Sequence, residues 1–146
     1  MNSFTHNITT IDRVGDMFRR DHLEEAGIHG RQYSLILNLV SHPGISQEEL
    51  SQRTYLNKSN LARQLVQLEE AGFVTRRFSE DDKRIQLVFP TEKARALAPQ
   101  ILKTHQEWRD FLDEGFTPDE IETFTTLLDR MAQRARQYGD QKNTKK

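Results

Sequence analysis

Residues 46–89 read SQEELSQRTYLNKSNLARQLVQLEEAGFVTRRFSEDDKRIQLVF, and the fold turns on how that stretch is punctuated. Ser46 with Glu49 has the S-x-x-E form, in which the hydroxyl caps one free N–H and the carboxylate reaches back to another. A short helix over 47–53 is predicted there. After Thr54-Tyr55-Leu56, Asn57 supplies a second N-cap, and Leu61, Leu65 and Leu68 form one apolar row before Ala71-Gly72 closes a second helix. Phe73–Phe78 and Ile85–Phe89 are β-prone runs joined by the charged loop Ser79–Arg84, too short for anything but a hairpin connection.

A short helix, a tight turn, a second helix and a two-stranded hairpin are the plan of a winged helix-turn-helix, whose second helix enters the major groove of DNA. The face arithmetic agrees. At about 100° per residue, the three leucines share a narrow arc, while Ser59, Ala62, Arg63 and Val66 point away from it and Asn60 and Gln67 lie on its flank. Base-edge readout needs such a face: an Arg to fork onto guanine, an amide to pair with adenine, and small neighbours that allow close approach. Lys58 and the free N–H groups of the helix start can hold phosphate, as can Arg76 and Arg77 in the first strand. The loop tip brings Asp82, Lys83 and Arg84 together, and a basic side chain at such a tip can enter a narrow minor groove. Taken alone, this helix would pass for an ordinary solvated face. The elements on either side give it meaning.

Working outward, Ile8, Ile11, Val14 and Phe18 place an apolar stripe on a helix over 8–26 that Gly27 and Gly30 end, and Tyr33, Ile36, Leu37 and Val40 mark another over 31–41 before Pro43-Gly44. Downstream, Thr91 can cap a helix with a stripe from Ala94 to Leu112. Pro99 lies inside it and predicts a kink or break, because it removes one backbone bond and crowds the carbonyl of Arg95. Thr117-Pro118-Asp119-Glu120 is a strong helix start, followed by the seam Ile121, Phe124, Leu128, Met131, Ala135 and Tyr138. Residues 141–146 read as a disordered basic tail. The fold class is therefore mainly α with a small β-hairpin wing, a single domain over 1–140 with the winged helix-turn-helix at 31–90 and its wing at 73–89.

Composition sets the exclusions. The 146 residues contain no cysteine, which removes disulfides, thiolate metal sites and thiol nucleophiles. The five histidines show no ligand spacing, and no phosphate-binding glycine loop or nucleophile–base pair can be read, so neither an enzyme, a metal nor a cofactor is expected. No signal peptide or membrane span is legible, which points to the cytoplasm. Net charge is −1 and pI about 6.5, far from a generally basic nucleic-acid binder. Yet 53–86 holds seven basic against five acidic residues, whereas 107–129 holds eight acids against Arg109 alone. The two parts of the chain carry opposite fields.

Gly72-Phe73-Val74-Thr75-Arg76-Arg77, Asp82-Lys83-Arg84 and Leu87-Val88-Phe89-Pro90-Thr91-Glu92-Lys93-Ala94 resemble the wing and its exit in MarR-type transcriptional regulators. Gln32-Tyr33, His42 to Leu50, Asn57-Lys58-Ser59 and Leu68 to Gly72 match in the same order and spacing, so that the resemblance spans residues 8–138. Pro90 and Ala94 depart from the usual Leu and Gly and bear on the strand-to-helix junction. The resemblance implies a cytoplasmic homodimer that binds a pseudo-palindromic double-stranded operator, as a repressor, and is released by a small aromatic or anionic effector. It implies that the helix from Asn57 to Ala71 reads DNA, that Arg84 enters the minor groove and that Asp82 orients it. Dimerisation would fall to helices 8–26 and 91–138, through Ile8, Ile11, Val14, Phe18, Ile121, Phe124, Leu128, Met131 and Tyr138. The effector crevice would be lined by Phe18, His22, Tyr33, Trp108 and Phe111. The competing reading is a winged-helix module for protein contacts, without specific DNA binding.

Overall fold

Gly44 adopts a positive φ of 82° and its N–H donates to Val88 O at 2.9 Å, turning the chain after the second helix back onto the wing. The computed structural model describes residues 3–23 and 26–145. In chain order the elements are α1 (Ser3–Leu23), α2 (Arg31–Ser41), β1 (Ile45–Ser46), α3 (Gln47–Thr54), α4 (Lys58–Glu70), β2 (Val74–Phe78), β3 (Gln86–Pro90), α5 (Glu92–Asp113) and α6 (Pro118–Thr144). The three strands form one antiparallel sheet in the order β1-β3-β2, with Val88 opposite both Ile45 and Arg76. The expected hairpin of β2 and β3 is therefore extended by β1 into a three-stranded sheet. Two residues are too few for an alternating pattern, so β1 leaves no signature in the sequence.

The N-cap residues are those the sequence predicts, although at Ser46 only the hydroxyl half of the expected two-way box forms. Glu49 N–H donates to Ser46 Oγ at 3.1 Å, and Asn60 N–H to Asn57 Oδ1 at 2.7 Å. Thr117 and Glu120 form a reciprocal capping box. The first helix begins five residues earlier than position 8, because Phe4 extends the Ile8-Ile11 stripe by one turn. Its described span closes at Leu23, and Glu24 and Glu25, on which the expected end at 26 depends, lie outside the described residues. Pro99 does not break α5, which runs through it. Both Pro99 and Arg95 lie on the exposed side, so the carbonyl that loses its partner is not trapped in the core. At the other junction, Pro90 ends β3, where its missing N–H costs least. Thr91 Oγ1 then donates to Gly72 O at 2.7 Å and accepts from Ala94 N–H at 3.3 Å, and buried Ala94 fits where the family often has glycine.

The chain forms two compact units, residues 1–108 and 109–146, divided within α5, where its length alone suggests one. The first holds the core: Tyr33, Leu35, Ile36 and Leu39 of α2, Leu50 of α3, Leu61, Leu65 and Leu68 of α4, Phe73, Val74 and Val88 of the sheet, and Ala94, Leu97 and Ile101 of α5. Each large side chain so buried contributes roughly 1.5–3 kcal/mol. In the second unit Arg109 pairs with Asp113 at 2.8 Å and donates to Thr125 Oγ1 at 3.0 Å. There α6 continues to Thr144, whose hydroxyl donates to Asp140 O at 2.9 Å. The basic tail is thus helical through Thr144 instead of disordered, because residues 141–144 add i,i+4 bonds to a helix already nucleated. Lys146 lies outside the described residues.

A Cβ at position 44 would sit 3.1 Å from Phe89 Cε1 on a backbone already at positive φ. Gly44→Ala is expected to destabilise the protein by roughly 1–2 kcal/mol, read as a fall of several degrees in the thermal midpoint.

Candidate nucleic-acid interface

The interface begins with the burial of one helix face. Leu61, Leu65 and Leu68 are fully inside, so the opposite side of α4 is held outward. Ser59, Arg63 and Val66 are exposed there, with Ala62 half-buried. Arg63 makes no ion pair or hydrogen bond with another described residue. Its guanidinium retains all five donors. Lys58, in the first turn, lies 3.7 Å from Glu48, with both side chains mostly exposed. Such a pair is weak and can exchange for a phosphate. The other end of α4 is fixed by Lys93, whose Nζ donates to Ala71 O at 2.7 Å and stands 4.4 Å over the Phe73 ring. There a cation also complements the helix dipole.

The wing tip is built by its own hydrogen bonds. Ser79 Oγ accepts from the N–H groups of Asp81 and Asp82, and Ile85 N–H donates to Asp82 O at 3.0 Å. Asp82 receives three bonds from Arg84, each at 3.0 Å: the backbone N–H and Nε on Oδ1, and Nη2 on Oδ2. The Arg84 side chain is nonetheless 90% exposed. Asp82 therefore holds the arginine by one edge while presenting it to solvent. The same clasp lowers the Asp82 carboxyl below its ordinary range, through the side-chain bonds to Arg84 and then the backbone one, and raises Arg84 in return. Lys83 is exposed beside it. A recess of about 540 Å³ between α3, the start of α4 and the wing is lined by Ser46, Glu48, Lys58, Leu61, Arg84 and Gln86 among others.

Not every sequence candidate points outward. Arg76 is a strut, not a free phosphate ligand: its guanidinium pairs with Glu69 at 3.3 Å, donates to Gln47 Oε1 at 3.5 Å, and is only 15% exposed. Arg77 lies 4.4 Å over the Phe89 ring, which leaves its donors at the rim. Gln67 is exposed, but its Oε1 accepts from Gln32 Nε2 at 2.7 Å, which ties the amide to α2 and competes with a bidentate pairing on adenine. Gln32 and Gln64, which the sequence reading passes over, belong to this cluster. Their signal was an amide on the apolar side of α2 and a pair of glutamines three apart beside a leucine row.

The crevice candidates divide as well. Phe18 stacks on His22 at 3.9 Å and meets Trp108 at 5.3 Å, where Gly15 leaves room: a Cβ there would lie 2.9 Å from Trp108 Nε1. Tyr33 is buried, and its hydroxyl donates to Ile28 O at 2.7 Å. Burial raises its pKa. It edges a recess of about 450 Å³ that also shows Arg13, Arg19, Arg31, Asp16 and His105. Phe111 is exposed and belongs to the second unit. His105 titrates below its usual value because of burial and then the charge of Arg19, which keeps it neutral at physiological pH.

Comparison with known proteins places these features. The model of the MarR family matches residues 26–85. An uncharacterised HTH-type transcriptional regulator of Bacillus subtilis, YybA, is 29% identical over 131 residues, covering 90% of this chain and 87% of that one. The crystal structure of MarR is 30% identical, with a TM-score of 0.83 and coverage of 90% and 96%. A MarR-family protein of Listeria monocytogenes, crystallised with a 26mer DNA, shares the fold at 24% identity and a TM-score of 0.83 over 95% of this chain and 93% of that one.

Because the Asp82 pKa is depressed, the clasp is complete at neutral pH and is lost only as the pH falls below the ordinary carboxylate value. The Arg84 Nε–H resonance is expected to hold its position from pH 8 to 5 and to move only in stronger acid. Asp82→Asn should shift it at every pH while leaving the thermal midpoint unchanged.

Proposed function

The chain belongs to the MarR family of transcriptional regulators, and from that premise we propose that it is a repressor that binds a pseudo-palindromic operator as a cytoplasmic homodimer and releases it when a small aromatic or anionic molecule binds. The observation that carries this reading is the unpaired Arg63 on the outward face of α4, flanked by the exposed Lys58 and by the clasped Arg84 of the wing. Arg63 supplies base readout, Arg84 enters the minor groove, and Lys58, Lys83 and Arg77 hold phosphates.

Support for the homodimer comes from apolar surface that the single chain leaves uncovered. Ile8, Ile11, Val14, Phe4 and Met17 on α1 are exposed, as are Phe124, Leu127, Leu128, Met131 and Tyr138 on α6, which buries no residue at all. Apolar stripes of that length on two helices mark a protein interface. For the effector, the 450 Å³ recess offers Arg13 and Arg31 to an anion, while Arg19 is paired there with Asp16 and Tyr33 lies buried behind the wall. Among the described residues no helix is long and apolar enough to cross a membrane.

Fluorescence anisotropy with DNA from the gene's own upstream region tests the reading. Binding should weaken with salt between about 50 and 200 mM, and removal of each phosphate contact, as in Arg77→Ala, should lower the slope of log K against log[salt] by about 0.9. Arg63→Ala should cost about 1–3 kcal/mol, concentrated at one base pair of each half-site. Failure to retain any fragment at low salt would favour a protein-contact module instead.

In sedimentation equilibrium the chain should run as a dimer. Leu128→Glu with Met131→Glu should yield a folded monomer whose operator affinity drops by more than tenfold, because it contacts one half-site only.

A further inference from the structure

Four side chains and one backbone amide at the edge of the core form a hydrogen-bond chain that runs in a single direction. His29 N–H, in the turn before α2, donates to Gln32 Oε1 at 3.2 Å. Gln32 Nε2 donates to Gln67 Oε1 at 2.7 Å and to Gln64 Oε1 at 3.0 Å. Gln64 Nε2 in turn donates to Asn60 Oδ1 at 3.4 Å. Gln32 is 3% exposed, so its polar atoms must find their partners inside the protein. The sense of the chain follows from its origin. A backbone N–H can only donate, so Gln32 must turn its oxygen to His29 and its NH2 toward α4. Gln64 meets that NH2 with its own oxygen and has its NH2 left for Asn60. The Asn60 oxygen is turned toward Gln64 in its turn, and the group left wholly free for a ligand is the amide NH2.

We infer that Gln32 is a positioning residue for sequence readout: acting through Gln64, it fixes Asn60 as a hydrogen-bond donor toward DNA. One position of the operator half-site is then read through a base acceptor in the major groove: O6 or N7 of guanine, N7 of adenine or O4 of thymine. A bidentate pairing of Asn60 with adenine is disfavoured, since the oxygen it also needs is turned toward Gln64. The polarity originates in backbone that the core itself holds, because the Ile28 carbonyl beside His29 is fixed by the buried Tyr33 hydroxyl. This inference rests on the DNA-reading role of α4 proposed above.

The test is selection of sites from a random double-stranded library, followed by anisotropy titrations on every single-base variant of the selected site, with the wild-type chain, Gln32→Glu and Gln64→Glu. A carboxylate at 32 still accepts from His29 but cannot donate, so Gln64 must turn its NH2 to it and offer Asn60 an oxygen. A carboxylate at 64, a half-buried position that tolerates the change, still accepts from Gln32 but has nothing to donate to Asn60. In both variants Asn60 turns its NH2 inward and its oxygen outward. The expected result is a shift of roughly tenfold at one shared position, away from guanine or thymine, whose major-groove edges offer only acceptors, and toward cytosine, whose edge offers only a donor, with the other positions unchanged. A role in packing alone would lower the thermal midpoint without moving any base preference. Gln64→Glu with wild-type preferences, or a folded Gln32→Glu with them, overturns the inference while leaving DNA reading intact. Wild-type protein that selects no site overturns both.

Discussion

The burial of Leu61, Leu65 and Leu68 is the constraint on which the rest depends. Three leucines at i, i+4 and i+7 on one helix, all inside the core, leave α4 a single rotational setting about its axis. Rotating it by one residue would expose a leucine and bury Arg63 or Gln64, at a cost of several kcal/mol. Everything on the outward face inherits its aim from that row. The core side is completed by α2, α3 and the sheet, and the ends of α4 are closed by Asn57 at one terminus and Lys93 at the other. The outward face of α4 is set by the apolar surface behind it.

Charge is distributed by partner more than by count. Of the basic residues between 53 and 86, Arg76 is spent on Glu69, Arg53 donates to Asn38, and Lys58 faces Glu48. Arg84 is held by Asp82 and still presented to solvent. Those with no acidic partner among the described residues are Arg63, Lys83 and Arg77, the last over an aromatic ring. A net charge of −1 is thus compatible with a DNA-binding family. A few cations placed at defined points serve base and groove recognition, whereas a diffuse basic surface would serve only non-specific attraction.

Much of the fold was legible because its signals are local. N-caps at Ser46, Asn57 and Thr117, the leucine row and the β-prone runs each involve residues within one or two turns of each other, and they appear where their chemistry places them. The features that were misread depend on residues far apart in sequence. The strand Ile45–Ser46 exists because Val88 pairs with it. Pro99 is tolerated because of which side of α5 faces solvent. Arg76 and Gln67 carry the right chemistry for DNA, but Glu69 and Gln32 claim them first. A periodicity argument knows which face a side chain is on and cannot know what stands opposite.

By itself, then, the sequence determined the winged helix-turn-helix plan, the outward set Ser59, Ala62, Arg63 and Val66, and the absence of thiol chemistry. Each follows from local geometry or from composition. Only the tertiary structure decided which polar residues remain available to a partner. It closed the third strand, turned Arg76 into a strut, and joined Gln32 to Gln64, Gln67 and Asn60 across 28 to 35 positions in the chain. The reason is physical. A buried amide must be satisfied by whatever the fold brings within about 3 Å of it, and that neighbour is set by packing between helices, of which no local window of sequence holds a record.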